Sequence, residues 1–338
     1  LERRDFTINA MAYNSEEGLV DSYCGYEDIQ DKRIRCVGNP NDRFREDGLR
    51  ILRALRFSVQ LGFKIELFTK HAMTDNRSLL NKISFERINS EFVKIIESSS
   101  SHHARMLLLE FEDVLAEFIP ELKSTFGFEQ NNPYHRYPVY EHILTVLKEC
   151  TDTDIITKLA AFFHDIGKPH CYQDDDNGIR HFKGHGKISA DMTDAIMRRL
   201  KFDNDTREKV VQLIYYHDAT FEVGKKYIRR WLNKIGVDQF KRLLVLRRAD
   251  IMGQSKYYRE ERIQKLDAVN DCLEEVLTEK PAFSVKDLEI NGKDVMKYMM
   301  MDECPEVGYW LNHILKMVID GHLQNNSCLL YTSDAADD

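Results

Sequence analysis

The chain has 338 residues, of which 43% are hydrophobic and 31% charged, and its formal net charge is -8. This composition predicts a globular protein of two or three domains, and the acidic balance excludes bulk charge as an argument for nucleic-acid binding. No run of about 18 apolar residues occurs, which excludes a membrane-spanning helix. The seven cysteines form no C-x-x-C pair, which predicts reduced thiols and a cytoplasmic location.

Apolar residues recur at three-to-four spacing along most of the chain, which predicts a mainly helical fold. The segments are 49–61, 85–97, 104–118, 139–150, 155–163, 187–200 and 205–216. Strands are expected only near the N-terminus, at 7–13 and 33–37. A serine run at 98–101 is expected to cap the next helix, and 126–138 has the composition of a loop. Residues 280–285 precede a last short helical unit.

A basic stripe lies on the predicted helix that begins near Arg43. Arg50, Arg53 and Arg56 recur every three residues, so they share one face. Such a row of guanidinium groups predicts a bound anion, either a triphosphate or an RNA backbone. Asp47 lies one turn before Arg50, so its carboxylate, a hydrogen-bond acceptor, would lie beside the guanidinium donor of Arg50. That pair can read the edge of cytosine or adenine.

The alternative for this segment is a plain surface helix. Its arginines would then pair with nearby carboxylates, namely Glu46, Asp47 and Glu66. Composition alone favours this plainer interpretation. Motifs elsewhere in the chain favour nucleotide binding instead.

Three segments together resemble motifs of the bacterial tRNA nucleotidyltransferases, the CCA-adding enzymes and their poly(A) polymerase relatives. Residues 3–12 (RRDFTINAMA) resemble the ribose-sensing motif of that family. Residues 43–57 resemble its base-selecting helix, E-D-x-x-R, and 85–92 are similar to the E-R-x-x-x-E segment that braces this helix. The motifs occur in family order, and the resemblance covers almost the whole chain. One departure is Gly48, where proline is usual.

The resemblance implies a role for each matching residue. Contacts with the sugar and phosphates of the incoming nucleotide are implied for Arg4 and Asp5. Recognition of the base of CTP or ATP is implied for Asp47 and Arg50, and assistance in nucleotide binding is implied for Arg53 and Arg56. Structural support is implied for Glu46, Glu86, Arg87 and Glu91. The implied reaction is CCA addition to the tRNA 3′ end, with Mg²⁺ as its cofactor.

The chain begins at Leu1, in the middle of the first motif. In the family, a Gly-rich segment and a D-x-D pair upstream of that motif supply the carboxylates for two catalytic metal ions. Residues 174–176 are three aspartates, but we interpret them as a solvated turn. We therefore expect an N-terminally truncated chain with no catalytic residues for nucleotidyl transfer, inactive in that reaction as given.

A second constellation combines histidine with aspartate. Residues 163–169 (FHDIGKP) contain a His-Asp pair, with a histidine on the helix before it and an aspartate far downstream. Such ligands without thiolate suit Mn, Ni, Co, Fe or Mg. The set resembles the HD-domain metal phosphohydrolases, which implies a metal site at His142, His164, Asp165 and Asp250. A second metal or a phosphate is implied at His185 and His217, and Lys168 would steady the phosphate.

The substrate of this second constellation stays open. Some members of the family remove 2′,3′-cyclic or terminal phosphates from RNA ends, whereas others carry the domain as a degenerate scaffold. The remaining histidines are expected to be ordinary core or surface residues, namely His102, His103, His135, His170, His181, His313 and His322.

The expected architecture is mainly α. The end of an α/β nucleotidyltransferase head (1–37) precedes a helical neck and body that bind nucleotide and RNA (38–125), an HD-type helical domain (126–260) and a helical tail (261–326). Residues 327–338 resemble translated vector and are taken as non-native.

The tail resembles the module that holds the tRNA body in the family. Its helix at 309–320 can also be interpreted as a packed helix that closes the fold. This interpretation is compatible with a role in tRNA binding. Lysines that would reach RNA phosphates are Lys293, Lys297 and Lys316.

Three functions rival CCA addition. The first is a metal-dependent phosphohydrolase that acts on RNA ends. The second is a poly(A)-adding relative, because the same motifs serve both activities. The third is a non-catalytic RNA-binding scaffold, for which salt-dependent tRNA binding without turnover would be the signature.

Overall fold

A computed structural model describes residues 1–151, 153–279, 282 and 284–326. Helices predominate, as the apolar periodicity predicts. The described α-helices are α1 (Gly25–Gln30), α2 (Pro40–Glu46), α3 (Leu49–Leu61), α4 (Leu67–Asp75), α5 (Phe85–Glu97), α6 (His102–Glu110), α7 (Glu112–Ala116), α8 (Val139–Glu149), α9 (Ile155–Phe163), α10 (His185–Arg199), α11 (Asn204–Tyr216), α12 (Lys225–Ile235), α13 (Val237–Gly253), α14 (Arg259–Thr278), α15 (Gly292–Met299) and α16 (Pro305–Ile319). The predicted non-native tail (327–338), and half of the segment 280–285, lie outside the described residues.

The described strands are short and form three separate pairs. They are β1 (Ala12–Asn14) with β2 (Gly18–Val20), antiparallel; β3 (Arg33–Ile34) with β4 (Lys64–Ile65), parallel; and β5 (Gln173–Asp174) with β6 (Arg180–His181), antiparallel. The expectation of strands only near the N-terminus is wrong, because β5 and β6 form a hairpin at 173–181. The predicted strand over 7–13 is also wrong for most of its length. Thr7–Asn9 forms a 3₁₀ turn instead, and the Thr7 hydroxyl donates to the buried Asp28 carboxylate at 2.6 Å.

The predicted helix that begins near Arg43 is two helices. Asp47 separates α2 from α3 in an extended conformation, with φ -153° and ψ 105°. Its Oδ1 accepts a hydrogen bond from the amide of Leu49 at 3.1 Å and so caps α3. At Gly48 a Cβ would lie 2.9 Å from the Cβ of Leu79. This close approach accounts for a residue without a side chain at the break.

Other local predictions are confirmed or adjusted. The helices predicted at 85–97 and 155–163 coincide with α5 and α9. The one predicted at 104–118 is interrupted at the buried Phe111, where φ is -109° and ψ is 29°. Ser101 caps α6 as expected, because its Oγ accepts from the amide of Ala104 at 3.0 Å.

The chain divides into two compact units. One contains residues 1–218 and 245–259, and the other contains 219–244 and the described residues from 260 onward. In the first unit, aromatic residues of α5 and α9 form the core, where the Phe92 ring lies 5.5 Å from that of Phe162. In the second unit, α15 and α16 pack on a buried apolar cluster, as expected for a helix that closes the fold. The four-part domain division stays a prediction.

Two chain-wide predictions concern cysteines and membranes. The described cysteines are all free, as expected for reduced thiols, namely Cys24, Cys36, Cys150, Cys171, Cys272 and Cys304. No helix among the described residues combines the length and the apolar character that a membrane span requires.

Candidate functional site

The first candidate site lies where the N-terminal segment meets α3. Residues 5–7 pair with 35–37 through backbone hydrogen bonds. The buried Asp5 places its Oδ2 2.6 Å from the Nε of Arg53, and its Oδ1 accepts from the side-chain amide of Asn9 at 2.8 Å. Burial alone would raise the pKa of Asp5, but these two hydrogen bonds hold the pKa below its ordinary value. Asp5 is therefore an ionised carboxylate in a fixed orientation.

Each arginine on the polar face of α3 pairs with a carboxylate. Besides the Arg53–Asp5 pair, Arg50 lies 2.7 Å from Glu46, and the Nε of Arg56 lies 2.6 Å from Glu91 of α5. Glu91 is only 5% exposed. The expectation that three adjacent cations require a bound anion is therefore wrong, because protein carboxylates already neutralise them.

The two predicted base readers each have a protein partner. Oδ2 of Asp47 accepts from Arg87 of α5 at 2.7 Å. Arg50 donates through Nη2 to the carbonyl of Arg3 at 3.1 Å, which links the helix to the N-terminal motif. The side chain of Asp47 remains 30% exposed, so its carboxylate stays accessible to a ligand.

Three other predicted residues lie apart from this network. Glu66 caps α4 by accepting from the amides of Phe68 and Thr69, so its predicted pairing with an arginine is wrong. Glu86 and Arg4 are both exposed. Neither side chain has a hydrogen bond or ion pair to another described residue.

The second candidate site gathers around Asp165, just after α9 ends. Its Oδ2 lies 3.2 Å from the Nε2 of His142 and 3.1 Å from that of His164. Its Oδ1 lies 3.3 Å from the Nε2 of His185 and 3.6 Å from that of His217. All five residues are buried. The fold thus brings α8, α9, α10 and the end of α11 to one point.

Asp250 reaches the same cluster from α13. Its Oδ1 lies 3.2 Å from the Nε2 of His142 and 4.0 Å from that of His164. Arg247 holds its other oxygen at 3.0 Å, and Gln254 donates to Oδ1 at 2.8 Å. The sequence analysis did not single out Arg247 or Gln254. Their positions three residues before and four after Asp250, on one helix face, were the available signal.

The protonation of the imidazoles follows from their outer hydrogen bonds. In His164, His185 and His217 the Nδ1 atom lies 2.7–2.8 Å from a backbone carbonyl oxygen, of Ala161, Phe182 and Ile214 respectively. A carbonyl only accepts, so Nδ1 carries the proton and Nε2 of a neutral ring presents a lone pair. Burial lowers the pKa of His185 to about 4 and also lowers the pKa of His164, which keeps both rings neutral near pH 7.

The donor atoms converge in a way that fits divalent cations. The Nε2 atoms of His185 and His217 face each other at 3.0 Å. Two lone pairs would repel at this distance, and a proton or a metal ion between the two nitrogens removes that repulsion. Burial alone would raise the pKa of Asp165, but His164 and Lys168 hold the pKa well below its usual range. An ionised carboxylate beside the neutral imidazoles of His164 and His185 is a donor set for Mn, Fe, Co, Ni or Mg.

Two overlapping groups have the spacing of metal ligands. His142, His164 and Asp165 form one, while Asp165, His185 and His217 form the other; within each group the ligand atoms lie within 4.8 Å of one another. Both buried oxygens of Asp165 lack a well-directed hydrogen bond to any described residue. The shared carboxylate therefore retains acceptor capacity for both groups.

Lys168 lies inside the cluster. Its Nζ is 2.7 Å from Oδ2 of Asp165, donates to the side chain of Gln130 at 2.8 Å and lies 3.4 Å from the Nε2 of His135. Burial lowers the pKa of His135 to about 2. The expectation that His135 is an ordinary residue is wrong, because it contacts the cluster. It lies in a loop, where no helical spacing could reveal it.

A cavity of about 290 Å³ opens beside the cluster. It is lined by cluster residues, the 126–138 loop and the β5–β6 hairpin, through Asn132, His135, Lys168, Arg180, His181, Phe182, Lys183, His185, His217, Asp218, Asp250 and Gln254. The hairpin contains the aspartates 174–176, whose exposed turn confirms our interpretation of them. His181, expected to be an ordinary surface residue, also lines the cavity.

Gly253 allows α13 to pack closely against α8. A Cβ at Gly253 would lie 2.8 Å from Cγ2 and 3.3 Å from the amide nitrogen of Val146. Val146 follows His142 by one turn, and Gly253 follows Asp250 by almost one turn. The close packing of Gly253 on Val146 therefore holds the carboxylate of Asp250 at its 3.2 Å distance from His142.

Gly253→Ala is expected to weaken Mn²⁺ binding by about 10- to 100-fold, because the new methyl group pushes α13 and Asp250 away from α8. Calorimetric titration with Mn²⁺ measures the affinity. The double variant Gly253→Ala/Val146→Ala removes the clashing Cγ2 and should recover part of the loss, with Val146→Ala alone as the control. Unchanged Mn²⁺ affinity in Gly253→Ala would contradict this account.

Family models match three successive parts of the chain. Residues 1–35 match the poly A polymerase head domain, 62–126 match the probable RNA and SrmB-binding site of polymerase A, and 134–253 match the HD domain. The order agrees with the architecture expected from the sequence motifs.

Solved structures show the same fold. The crystal structure of the Bacillus stearothermophilus CCA-adding enzyme in complex with CTP has a TM-score of 0.63 at 21% identity, covering 99% of this chain and 74% of that one. The Thermotoga maritima CCA-adding enzyme complexed with tRNA_CCA has a TM-score of 0.57 at 18% identity, covering 100% and 73%.

Sequence relatives extend over nearly the whole chain. The A-adding tRNA nucleotidyltransferase of Deinococcus radiodurans is 29% identical, with 91% of this chain and 72% of that protein covered. The CCA-adding enzyme of Bacillus velezensis is 30% identical, with 96% and 69% covered. The CCA-adding enzyme of Lactobacillus helveticus is 32% identical over 331 residues, again with 96% and 69% covered. At this identity and coverage, the chain belongs to the family of CCA-adding enzymes.

Proposed function

We propose that this protein functions in adding CCA to the 3′ end of tRNA, with CTP and ATP as the nucleotide donors and the cytoplasm as its location. The observation that supports this most directly is the network that joins the N-terminal motif, α3 and α5. Arg53 holds Asp5, and Arg87 holds Asp47 at 2.7 Å. Such fixed side chains can bind one nucleotide in a defined orientation.

The sugar and phosphates are assigned to the N-terminal motif. Asp5 is held by Arg53 and Asn9, so its carboxylate can accept from a ribose hydroxyl without rearranging. The exposed Arg4 beside it supplies a guanidinium for the phosphates. Arg56, held by the buried Glu91, supports the helix.

The base is assigned to Asp47 and Arg50. Each carboxylate oxygen has two lone pairs, so Asp47 can keep its hydrogen bond from Arg87 and still accept from a base. Cytosine and adenine present an amino group at that edge, whereas guanine and uracil present a carbonyl. A carbonyl that faces Asp47 would place two acceptors together, which disfavours GTP and UTP.

Asp47→Ala is expected to reduce the preference for CTP and ATP over GTP and UTP by about 5- to 150-fold, because the acceptor is lost. Calorimetric titration with each nucleotide measures the preference. Arg50→Ala should weaken CTP and ATP alike. The matched control is Arg45→Ala, since that side chain is 66% exposed and its ion pair is with Asp42, at 3.7 Å. Equal affinity of the unmodified protein for all four nucleotides would contradict the assignment.

Two finer points belong to the same proposal. Mg²⁺ would supply the charge stabilisation of nucleotidyl transfer. We assign none of the described carboxylates to this ion, because those of the nucleotide network are engaged by arginines.

A protein that adds both C and A must bind CTP, whereas an A-adding relative needs only ATP. CTP binding in the titration above therefore distinguishes the two activities. The tRNA body is assigned to the C-terminal lysines, namely Lys293, Lys297 and Lys316.

A second function, metal-dependent phosphohydrolysis at the HD domain, is favoured by the facing Nε2 atoms of His185 and His217. His142, His164, Asp165 and Asp250 would hold one ion, and Asp165, His185 and His217 a second one or a phosphate. A bound divalent ion would activate water and stabilise charge on a phosphate ester.

The chain's own residues prepare that site. Lys168 holds Asp165, while Arg247 and Gln254 hold Asp250. Lys168 itself is 3% exposed and engaged by Gln130. Its role in this proposal is therefore to keep Asp165 ionised and to face a bound phosphate from within the cavity.

The second function is tested by metal analysis and turnover together. We expect bound metal by elemental analysis, and hydrolysis of bis(p-nitrophenyl) phosphate with at least one of Mg²⁺, Mn²⁺, Ni²⁺ and Co²⁺. A protein that binds none of these ions and shows no turnover would leave the domain as an RNA-binding scaffold.

A further inference from the structure

Three exposed tyrosines form a cluster in the first compact unit. The rings of Tyr134 and Tyr257 lie 5.0 Å apart edge to face, and those of Tyr257 and Tyr258 lie 4.5 Å apart. The residues are 39%, 46% and 55% exposed, in the order Tyr134, Tyr257 and Tyr258. Single exposed aromatic residues are ordinary, but a group of contacting exposed rings is a typical recognition surface.

The cluster is attached to the mouth of the HD cavity. Ser255 donates from its Oγ to the carbonyl of Pro133 at 2.6 Å and from its amide to the carbonyl of Tyr134 at 2.8 Å. These bonds join the 126–138 loop to the segment after α13. The same two segments contribute His135 and Gln254 to the cavity lining. The tyrosines therefore lie on the two segments that also line the cavity with the proposed metal ligands.

The backbone at the cluster is held in an uncommon conformation. Tyr258 has φ 48°, in the left-handed region that residues with a Cβ rarely adopt. Such conformations persist where the surrounding structure imposes them, and they concentrate at binding sites. At Tyr258 the conformation presents a 55% exposed ring next to Tyr257.

A lysine, Lys183, also lines the cavity. Lys183 is exposed and has no ion pair with a described residue. The other lining cations are engaged, since Lys168 pairs with Asp165 and Arg180 with Asp174. Lys183 is thus available to a phosphate group that approaches the cavity.

We propose that Tyr134, Tyr257 and Tyr258 form a stacking platform for the unpaired bases at the 3′ end of an RNA strand whose terminal phosphate enters the HD cavity. The inference rests on the metal-dependent function proposed above and adds the residues that would bind the unpaired bases of its RNA substrate. Aromatic rings stack on any base. The platform therefore selects for a nucleic-acid end without selecting its sequence, and a phosphopeptide would leave it unused.

The test compares two RNA tetranucleotides that both end in a 3′-phosphate, one with four bases and one with an abasic 3′-terminal residue. Each carries a 5′-fluorescein, and fluorescence anisotropy gives its affinity for the full chain with Mn²⁺ present. We expect the abasic RNA to bind roughly 5- to 150-fold more weakly. Tyr257→Leu should weaken the intact RNA by about tenfold and leave the abasic RNA nearly unchanged.

Two variants control for structure and location. Tyr257→Phe keeps the ring and should bind the intact RNA like the unmodified protein. Tyr13→Leu removes a tyrosine that is 77% exposed on β1, far along the chain from the platform, and should have no effect. Equal affinity of the two RNAs, or an unchanged affinity in Tyr257→Leu, would overturn the platform.

Hydrolysis of bis(p-nitrophenyl) phosphate and Mn²⁺ content are measured on the same preparations. If both are absent, the metal-dependent function fails, and the RNA comparison still reports on the platform by itself. If both are present while the two RNAs bind equally, only the platform is wrong.

Discussion

Asp165→Asn is expected to release the bound metal and to lower hydrolysis of bis(p-nitrophenyl) phosphate by about 10³-fold. Asp165 is the residue that both ligand groups share, with Oδ2 near His142 and His164 and Oδ1 near His185 and His217. Asparagine keeps the size of the side chain but removes its charge. The facing imidazoles then lack the anion that draws a cation between them.

Elemental analysis and steady-state hydrolysis measure the two parts of this result. The matched control is Asp176→Asn, because Asp176 is an exposed aspartate in the neighbouring hairpin and should not affect either quantity. Circular dichroism verifies that both variants fold. An Asp165→Asn protein that retains a full complement of metal would show that the ligands lie elsewhere.

Glu91→Ala is expected to destabilise the packing of α3 on α5 by about 3 kcal/mol. Glu91 is 5% exposed, and its carboxylate lies 2.6 Å from the Nε of Arg56, whose side chain is 12% exposed. Removal of the carboxylate leaves a largely desolvated guanidinium that has lost its ion-pair partner. Asp47, to which we assign the base, also depends on α5 through Arg87, so CTP binding should weaken in parallel.

Hydrogen exchange of the α3 and α5 amides measures this loss locally, which suits a chain that divides into two units. Glu86→Ala is the control, since Glu86 is exposed on the same helix and should exchange like the unmodified protein. In Glu91→Ala/Arg56→Ala, part of the stability should return, because the unpaired charge is removed as well. Unchanged exchange in Glu91→Ala would contradict a supporting role for the ion pair.

The helices were predictable from the sequence wherever the signal was local. α5 and α9 begin and end where the apolar periodicity does. α3 likewise begins and ends where the predicted segment 49–61 does. The expectation of one helix from Arg43 onward missed the break at Asp47, because the close packing at Gly48 involves a residue elsewhere in the chain. Leu79 packs within van der Waals distance of Gly48, and no pattern around Gly48 reveals that contact.

The proposed nucleotide site shows the same difference between local and distant signals. The motifs identified Asp5, Asp47 and Arg50 as chemical groups suited to a nucleotide. Their partners come from distant segments: Arg53 is 48 residues from Asp5, and Arg87 is 40 residues from Asp47. Spacing along a helix cannot identify such pairs, and for that reason the arginine face was expected to need an external anion.

For the second site, the sequence by itself determined the kinds of ligand, because imidazole and carboxylate groups without thiolate follow directly from the residues present. Only the tertiary structure decided which of them meet, that Lys168 faces inward and that His135 belongs to the cluster. The reason is that helix packing depends on contacts between remote residues. Gly167 lets Ser189 approach, with only 2.7 Å between an added Cβ and the Ser189 amide nitrogen, and Gly253 lets Val146 approach. These contacts set the distances between the ligand atoms, and those distances determine whether a set of histidines and aspartates can hold a metal ion.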